Sequence, residues 1–301
     1  MITNFEEIFD VLRSKSKKRL VAAWAVDDHT VTAAGKAVQL GIVEATLVGD
    51  KDKILAVCEA EKLDPALFTI VDNKDELKSI AQAVSMVKNG EGDILMKGLC
   101  STDKYMRGIL NKENGLLPPK AVLSHVSVLQ NPNYHKLLII SDMAVIPAPD
   151  FKQKQAEVKY LVKTAKALGI EKPKVAAVAA TEQMLDGMPA CVEAAMLAKM
   201  SDRGQIAGGV VDGPLALDVA VDAEAVAIKK VKSEVAGDAD CLLFPNIESA
   251  NVFYKTNSKL CGIVPQAAYV VGAQVPCVLS SRADSIDTKL NSIALAGINA
   301  K

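Results

Sequence analysis

Aromatic residues are scarce in this chain, and the charges almost cancel. Phe, Trp and Tyr together make up 4% of the 301 residues, and Trp24 is the single tryptophan. Proteins that bind single-stranded nucleic acid stack bases on aromatic rings, so this composition argues against such a platform. The 35 basic and 36 acidic residues give a net charge of -1, without the basic excess typical of nucleic-acid binders. We therefore expect no nucleic-acid partner.

Several familiar catalytic motifs are also missing. The sequence contains no G-x-S-x-G, no G-x-x-x-x-G-K-[ST] and no G-x-G-x-x-G segment. These absences argue against an α/β-hydrolase, a P-loop nucleotidase and a conventional Rossmann dehydrogenase. The three histidines lie far apart, and the six cysteines form no C-x-x-C pair. Neither a zinc site nor a disulfide framework is expected from such spacing.

Long hydrophobic runs are lacking as well. No segment approaches the roughly 20 apolar residues of a membrane-spanning helix. The N-terminal residues lack the basic region and apolar stretch of a signal peptide. The expectation from these features is a cytoplasmic protein without a membrane partner.

Hydrophobic residues are abundant, at 50% of the chain. They occur in two patterns that alternate along the chain: short continuous apolar segments and segments with helical spacing. Short apolar segments such as residues 20–26 are followed by helical patterns such as residues 30–40, and this order recurs along the chain. Strands separated by helices of this length are typical of right-handed crossovers in a mostly parallel sheet. The length favours two domains. The fold class predicted is α/β, with two α/β domains.

Two details of this assignment bear on function. A strand is predicted at residues 206–211, with Asp212-Gly213-Pro214 as the polar loop that follows it. The apolar run 269–279, interrupted by Pro276, is interpreted as a short strand leading into the last helix. Polar loops that follow parallel strands gather along one edge of a sheet, where α/β proteins bind their ligands.

The end of the last predicted strand has the properties of an anion site. Ser285 as a cap and Asp287 in the first turn indicate a helix start, which offers unpaired backbone N–H groups. Arg282 adds a permanently charged fork suited to phosphate oxygens, and Ser281 adds a hydroxyl donor. The alternative interpretation is a serine-rich cap beside a solvated arginine.

A second strand end carries a similar pattern. After Lys97-Gly98, a helix is predicted to begin at Ser101, Thr102 or Asp103, with Arg107 one turn in. A capped surface helix that carries an arginine fits this stretch as well as an anion site does.

Taken together, seven segments resemble the phosphate acetyl/butyryltransferase family over nearly the whole chain. The segments after residue 200, with D-G-P-L-A-L-D, G-D-A-D and S-R-A-D-S, look more like the phosphate butyryltransferase branch than the acetyl branch. The seven segments are Met96-Lys97-Gly98, 102–110, 141–145, 199–205, 211–218, Gly237-Asp238-Ala239-Asp240 and 281–285.

The resemblance implies both an architecture and a reaction. It implies two α/β domains like those of isocitrate and isopropylmalate dehydrogenases, an active-site cleft between them, and a homodimer. In such an architecture the chain returns to the first domain, giving residues 1–135 plus 280–301 and residues 136–279. The implied reaction converts acyl-CoA, with butanoyl-CoA expected, and inorganic phosphate into acyl phosphate and CoA. No metal and no cofactor are implied, because CoA and phosphate are substrates.

The resemblance also implies roles for individual residues. Ser281 and Arg282 match the pair that holds phosphate, and Arg107 matches an arginine of the earlier helix. Acetyl-branch enzymes carry an aspartate seven positions after that serine, where this chain has Thr288. Asp287 is the expected catalytic carboxylate, although a helix-start carboxylate without a catalytic part fits it equally. Further expected substrate-binding residues are Ser101, Thr102, Asp142, Asp284 and Thr288.

Other readings remain open at this point. Cys100 offers a thiol for an acyl-enzyme, but no histidine is visibly paired with it. Phosphate acetyltransfer with acetyl-CoA is the nearest alternative function. From other classes, a dehydrogenase of the same architecture and a non-catalytic CoA-binding module are the alternatives.

Overall fold

A computed structural model of the chain describes residues 1–262, 265–281 and 284–301. The chain divides into two compact units. We call Phe5–Leu123 with Gln266–Lys301 the first unit, and Met1–Asn4 with Ser124–Pro265 the second unit. This division differs from the predicted boundaries after residues 135 and 279.

Two antiparallel strand pairs explain where the division falls. Ser124–Leu129 pairs with Leu138–Ser141, so both strands belong to the second unit. Gln266–Val271 pairs with Cys277–Val278, so both belong to the first unit. Ladder hydrogen bonds keep the two halves of each pair together, and a boundary inside either pair would break them.

The first unit alternates helices and strands in the predicted manner. Its strands are β1 (Lys18–Ala23), β2 (Val43–Gly49), β3 (Phe68–Asp72), β4 (Ile94–Lys97), β10 (Gln266–Val271) and β11 (Cys277–Val278). Its helices are α1 (Phe5–Arg13), α2 (Asp28–Gln39), α3 (Lys51–Ala60), α4 (Glu76–Lys88), α5 (Thr102–Leu110) and α11 (Ile286–Asn299). The strand order is β3-β2-β1-β4-β11-β10, and β10 alone runs antiparallel to its neighbour β11.

The second unit repeats this alternation. Its strands are β5 (Ser124–Leu129), β6 (Leu138–Ser141), β7 (Lys174–Val178), β8 (Val210–Leu215) and β9 (Cys241–Leu243). Its helices are α6 (Phe151–Ala167), α7 (Pro189–Asp202), α8 (Leu217–Val221), α9 (Ala223–Lys229) and α10 (Ile247–Lys255), and α10 continues into a π-helical turn, Thr256–Leu260. The strand order is β5-β6-β9-β7-β8, with β5 antiparallel to β6 and the other pairs parallel. The predicted mixed α/β class with mostly parallel strands is confirmed.

Local signals place many of the helix starts. Asp27, Asp50 and Asp75 precede α2, α3 and α4, and each accepts hydrogen bonds from backbone N–H groups of the first helical turn. Such caps satisfy donors that have no partner inside the helix. The strand positions follow the burial pattern: every residue of β4, β6 and β9 is buried, as expected for strands that are covered on both faces. Among the described ranges, no helix has both the length and the apolar character needed to cross a membrane.

Two sequence-based assignments are wrong. The strand predicted at residues 206–211 is β8 at Val210–Leu215, so Asp212-Gly213-Pro214 lies within the strand and does not follow it. As far as the structure describes it, β8 is an edge strand paired only with β7, and proline is tolerated at an edge because no second ladder needs its N–H group. The run 269–279 is also not one strand, because it turns at Gly272, with φ of 93°, and folds back as β11.

Candidate functional site

In the first unit, three neighbouring parallel strands end at the same level. Lys97, the last residue of β4, pairs in register with Ala23 at the end of β1. Val278, the last residue of β11, pairs with Met96 of β4. The chain segments that follow these strands therefore emerge along one sheet edge. This is the edge at which open α/β sheets bind ligands.

A cavity of about 150 Å³ lies at this edge. It is smaller than the roughly 300 to 1,000 Å³ of pockets that enclose whole drug-sized ligands, so it suits a small group and not a complete coenzyme. Its lining combines two lysines with acidic, imidazole and apolar groups. The lining residues are Asp27, Asp28, His29, Lys97, Gly98, Leu99 and Lys289.

Lys97 holds the loop after β4 by hydrogen bonds. Its side chain is buried, and its Nζ donates to the carbonyl oxygens of Gly98 at 3.1 Å and Cys100 at 2.9 Å. Gly98 has to be glycine here, because a Cβ at this position would lie 2.2 Å from the carbonyl oxygen of Trp24. The loops after β1 and β4 thus approach each other backbone to backbone beside the cavity.

Lys289 makes the corresponding contact after β11. Its Nζ donates to Ser280 Oγ at 2.9 Å, and both residues are buried. Burial lowers the pKa of Lys289, while the nearby carboxylates of Asp27, Asp284 and Asp28 offset part of that effect. A buried ammonium group is stable only with such partners.

The loop between β11 and α11 is held at several points. Ser281 N donates to Asp284 Oδ2 at 2.7 Å, and Asp284 N donates to the Ser281 carbonyl at 3.2 Å. His29 Nδ1 lies 3.1 Å from the Asp284 carbonyl oxygen, so this nitrogen carries the proton and donates. The expected site residue Arg282 lies outside the described residues, and so does Ala283. Ser281 is exposed and stands directly beside the buried Ser280.

The predicted start of the last helix is confirmed. Ser285 caps α11 and accepts from Thr288 N at 3.1 Å, and the Ser285 and Thr288 hydroxyl oxygens are also 3.1 Å apart. Asp287 lies in the first turn, with an exposed side chain whose Oδ1 is 3.3 Å from Lys36 Nζ of α2. The structure thus places Ser281 and Asp284 in the loop before α11, and Asp287 and Thr288 in the first turn of that helix.

The other predicted cap is Ser101, which precedes α5. Its Oγ accepts from Lys104 N at 3.3 Å, and Thr102 is the first residue of the helix. Cys100, just before the cap, is buried, and burial raises the pKa of its thiol to about 11. A thiol that stays protonated at neutral pH is a poor nucleophile. These properties support the interpretation of Cys100 as a structural cysteine.

Arg107 is exposed on α5, and its Nε lies 3.1 Å from an Asp103 carboxylate oxygen on the same helix. The family resemblance implies that Arg107 contacts phosphate. On that expectation, Arg107→Ala should raise the KM for phosphate about 10-fold, because losing a hydrogen bond to a charged ligand costs about 1.5 kcal/mol or more. The melting temperature should stay the same, since an exposed ion pair contributes only about 0 to 1 kcal/mol. Initial rates at varied phosphate test this, with Asp103→Asn as the control that breaks the pair and keeps the arginine. Unchanged phosphate kinetics would remove Arg107 from the site.

Asp142 belongs to the second unit and organises a loop there. Its carboxylate accepts from Ser124 Oγ and from the backbone N–H groups of His125, Ala144, Val145 and Ile146, at 2.8 to 3.2 Å. It is buried. These bonds give Asp142 a structural part in shaping the turn after β6, and the substrate contact expected from the sequence stays a prediction.

Lys97 and Lys289 line the cavity, and the sequence predicted no role in the site for either of them. A signal for each was present. Lys97 ends an apolar strand, and Lys289 lies on the buried face of α11 together with Leu290 and Ile293. A lysine at a position where the pattern calls for an apolar residue indicates a buried charge with specific partners.

Comparison with known proteins identifies the family. Residues 76–297 match the family model described as Phosphate acetyl/butaryl transferase. The chain belongs to this family. The matched stretch includes both strand ends of the cavity, β4 and β11, and the loop that contains Ser281.

Relatives within the family span nearly the full chain. A protein named phosphate butyryltransferase from Clostridium acetobutylicum is 45% identical over 99% of this chain and 98% of its own length. A phosphate acetyltransferase from Thermotoga maritima is 40% identical over 97% of this chain and 98% of its own length. The expected family is thereby confirmed.

Solved structures agree with this assignment. A branched-chain phosphotransacylase from Enterococcus faecalis V583 superposes with a TM-score of 0.82 at 30% identity, covering 94% of this chain and 98% of the other. A 4-hydroxythreonine-4-phosphate dehydrogenase from Burkholderia phymatum gives a TM-score of 0.57 at 13% identity, over 95% of this chain and 99% of the other. The second match shows the fold alone, and it confirms the predicted likeness to a dehydrogenase architecture.

Proposed function

We propose that this family member transfers an acyl group from CoA to inorganic phosphate, with butanoyl-CoA as the preferred substrate. The relatives named phosphate butyryltransferase support this choice, and the 40% identical phosphate acetyltransferase makes acetyl transfer the second candidate. The observation that carries the proposal is the Ser281 loop beside the cavity. An exposed hydroxyl, a capped helix start and two buried lysines meet there at one sheet edge.

In the proposed mechanism, a phosphate oxygen attacks the thioester carbonyl carbon directly. The C–O bond forms, the carbonyl oxygen takes up negative charge, and the C–S bond then breaks to release CoA as the thiolate. Binding the two reactants side by side supplies much of the rate of such a transfer. Ser281 and N–H groups of the α11 start are proposed to stabilise the oxyanion, and Arg282 and Arg107 to hold the phosphate.

Other groups have smaller proposed parts. In the reverse direction, a base must take the proton of the CoA thiol, and Asp287 is the proposed acceptor. Its exposed carboxylate, in the first turn after the Ser281 loop, supports that choice. Ser101, Thr102, Asp142, Asp284 and Thr288 remain proposed substrate contacts. The reaction is proposed to need no metal or prosthetic group, so dialysis against a chelator should leave the rate unchanged.

The test is phosphate-dependent release of free thiol from acetyl-, propionyl-, butanoyl- and longer acyl-CoAs, each beside a reaction without phosphate. Fastest release from butanoyl-CoA, only with phosphate, would support the proposal in full. A preference for acetyl-CoA would support the second candidate. Thiol release at the same rate with and without phosphate would indicate a thioesterase. Binding of CoA without turnover would indicate a binding module, and reduction of a nicotinamide would indicate a dehydrogenase.

A homodimer is proposed for the assembly, supported by an apolar face on the second unit. Val192 and Met196 of α7 are 40% and 47% exposed, and Met184, before the helix, is 70% exposed. Large exposed apolar patches mark interaction surfaces. Met196→Glu is expected to shift the protein from dimer to monomer in sedimentation analysis, and Val252→Glu, on the exposed side of α10, is the control. Unaltered sedimentation of the Met196 variant would exclude this face.

A reducing, cytoplasmic location is also proposed. All six cysteines are free thiols, and Cys261 is exposed. Oxidising compartments favour paired cysteines, and an exposed free thiol is a liability in them. Fractionation of the cells that produce the protein would test the location.

A further inference from the structure

Lys289 is a costly residue at its position. It is the fourth residue of α11 and is 3% exposed, and its buried neighbours on the helix include the apolar Leu290 and Ile293 as well as the polar Asn291 and Ser292. A hydrophobic residue of similar volume often stabilises a protein as well as a buried charge does, or better. Core packing therefore gives no reason for a lysine here, and its contacts have to supply one.

The contact made by Lys289 closes a loop. The ammonium group reaches back from α11 to Ser280 Oγ, at 2.9 Å, across the segment that contains Ser281. Ser280 lies two residues after the end of β11, a strand that pairs in register with β4. On the other side of the loop, Ser285 caps α11, so Lys289 and Ser285 hold the two ends. Ser281 lies between them.

A buried lysine also holds the loop after the neighbouring strand β4. Lys97 holds the carbonyl oxygens of Gly98 and Cys100, in the loop that leads to the Ser101 cap of α5. Both lysines line the same cavity. Each of them fixes the loop that follows one of two adjacent parallel strands, β4 and β11.

We propose that Lys289 is a positioning residue for Ser281: its ammonium group holds Ser280 and thereby fixes the backbone that carries the Ser281 hydroxyl. The inference rests on the acyl transfer proposed above, because it gives Ser281 a part in that reaction. Catalytic donors act only within a few tenths of an ångström of their productive place, and a displacement of about 1 Å costs about 100-fold in rate.

The test is a double-mutant cycle on Lys289 and Ser280. Lys289→Met and Ser280→Ala are each expected to lower kcat about 10- to 100-fold, with the KM for acyl-CoA unchanged, since both release the Ser281 backbone. The double variant should be no slower than the slower single variant, because both changes remove the same hydrogen bond. Additive losses, or a change in KM alone, would overturn the proposal.

Lys154→Met is the matched control. Lys154 is also a buried lysine, at 5% exposure, but it pairs with Glu193 in the second unit. Its removal tests the general effect of losing a buried lysine, and kcat should stay at the wild-type level. A similar loss of kcat in this variant would assign the effect of Lys289→Met to lost stability and overturn the positioning role.

Hydrogen exchange at the Ser281 amide gives a second measurement that needs no turnover. This amide donates to Asp284, and Lys289→Met should speed its exchange at least about 10-fold, the change expected when a net contribution of about 1.4 kcal/mol is lost. Unchanged exchange overturns the positioning role even if the enzyme is active. Faster exchange together with a wild-type protein that never releases thiol would instead refute the proposed acyl transfer and keep the positioning of the loop.

Discussion

Ser281→Ala is expected to lower kcat for phosphate-dependent thiol release by about 100-fold or more, the usual effect of removing one oxyanion donor. The Ser281 side chain is exposed, while its own backbone N–H donates to Asp284 and its neighbour Ser280 is held by Lys289. The hydroxyl is thus presented on a fixed backbone at the sheet edge. Truncation removes the donor and leaves the hydrogen bonds that hold the loop.

Arg282→Ala should lower kcat/KM for phosphate to a similar extent. A guanidinium group offers a planar pair of donors that match two phosphate oxygens, and lysine offers only a point charge. Arg282→Lys is therefore expected to restore part of the phosphate affinity and little of the rate. Initial rates at varied phosphate, with acyl-CoA saturating, separate the two effects.

Cys100→Ala is the control for both substitutions. The raised pKa of the buried Cys100 thiol, about 11, keeps it protonated, so the variant should retain wild-type turnover. An inactive but folded Cys100→Ala protein would replace direct transfer with an acyl-enzyme. Full activity of the Ser281 variant would remove this serine from the proposed chemistry.

The second large effect is expected at Glu157, in the middle of α6. Glu157→Gln should stabilise the protein by about 4 kcal/mol at pH 7, because pH 7 lies about 2.7 units above the pKa of an unfolded glutamate and each unit is worth about 1.4 kcal/mol. Glu157 is 0% exposed, and neither carboxyl oxygen has a hydrogen-bond partner among the described residues. Burial raises its pKa to about 8, with a smaller contribution from Asp142 and partial compensation from Lys154.

The sign follows from the two pKa values. In the unfolded chain a glutamate titrates near 4.3, so between about pH 4.3 and pH 8 the folded state binds one proton more than the unfolded state. The free energy of unfolding therefore falls as pH rises through this window and levels off above it. Glutamine stays neutral at every pH, so the variant should lose this slope and gain most at alkaline pH.

Urea unfolding at pH 5, 7 and 8.5 measures the effect. The free energies of unfolding of wild type and Glu157→Gln should differ least at pH 5, by about 1 kcal/mol, and diverge as pH rises. Glu234→Gln is the control, because Glu234 is exposed, pairs with Lys172 and has a lowered pKa, so its replacement should leave the slope unchanged. A wild-type stability that does not fall between pH 5 and 8 would contradict the assignment of a buried, neutral Glu157.

Local sequence determined a large part of the fold. The alternation of apolar segments and helical patterns gave the α/β class, because periodicity is a property of neighbouring residues. The caps at Ser101 and Ser285 were also readable, since the capped N–H groups lie three residues away, at Lys104 and Thr288. The family followed from motifs whose residues are contiguous.

Two features depended on where strands lie in a sheet: the inclusion of Pro214 in β8, and the hairpin formed by β10 and β11. In a sequence, a proline usually predicts a loop. Pro214 fits into β8 because this strand lies at the edge of the sheet. The run 269–279 is apolar on both sides of its turn, so local pattern alone does not divide it. Sheet order is a property of strands far apart in the chain, which no local window contains.

The sequence by itself determined the class of fold, the family and the loop around Ser281. Tertiary structure decided how far each charge is removed from water. The pattern marked Lys97 and Lys289 as lysines at apolar positions, but their degree of burial, and that of Glu157, follows only from packing. The contacts of these groups are also set by the fold. Lys289 bonds to Ser280, which follows β11, and the nearby Asp142 helps to raise the pKa of Glu157. Desolvation depends on everything packed around a group, and that is fixed only when the whole unit has folded.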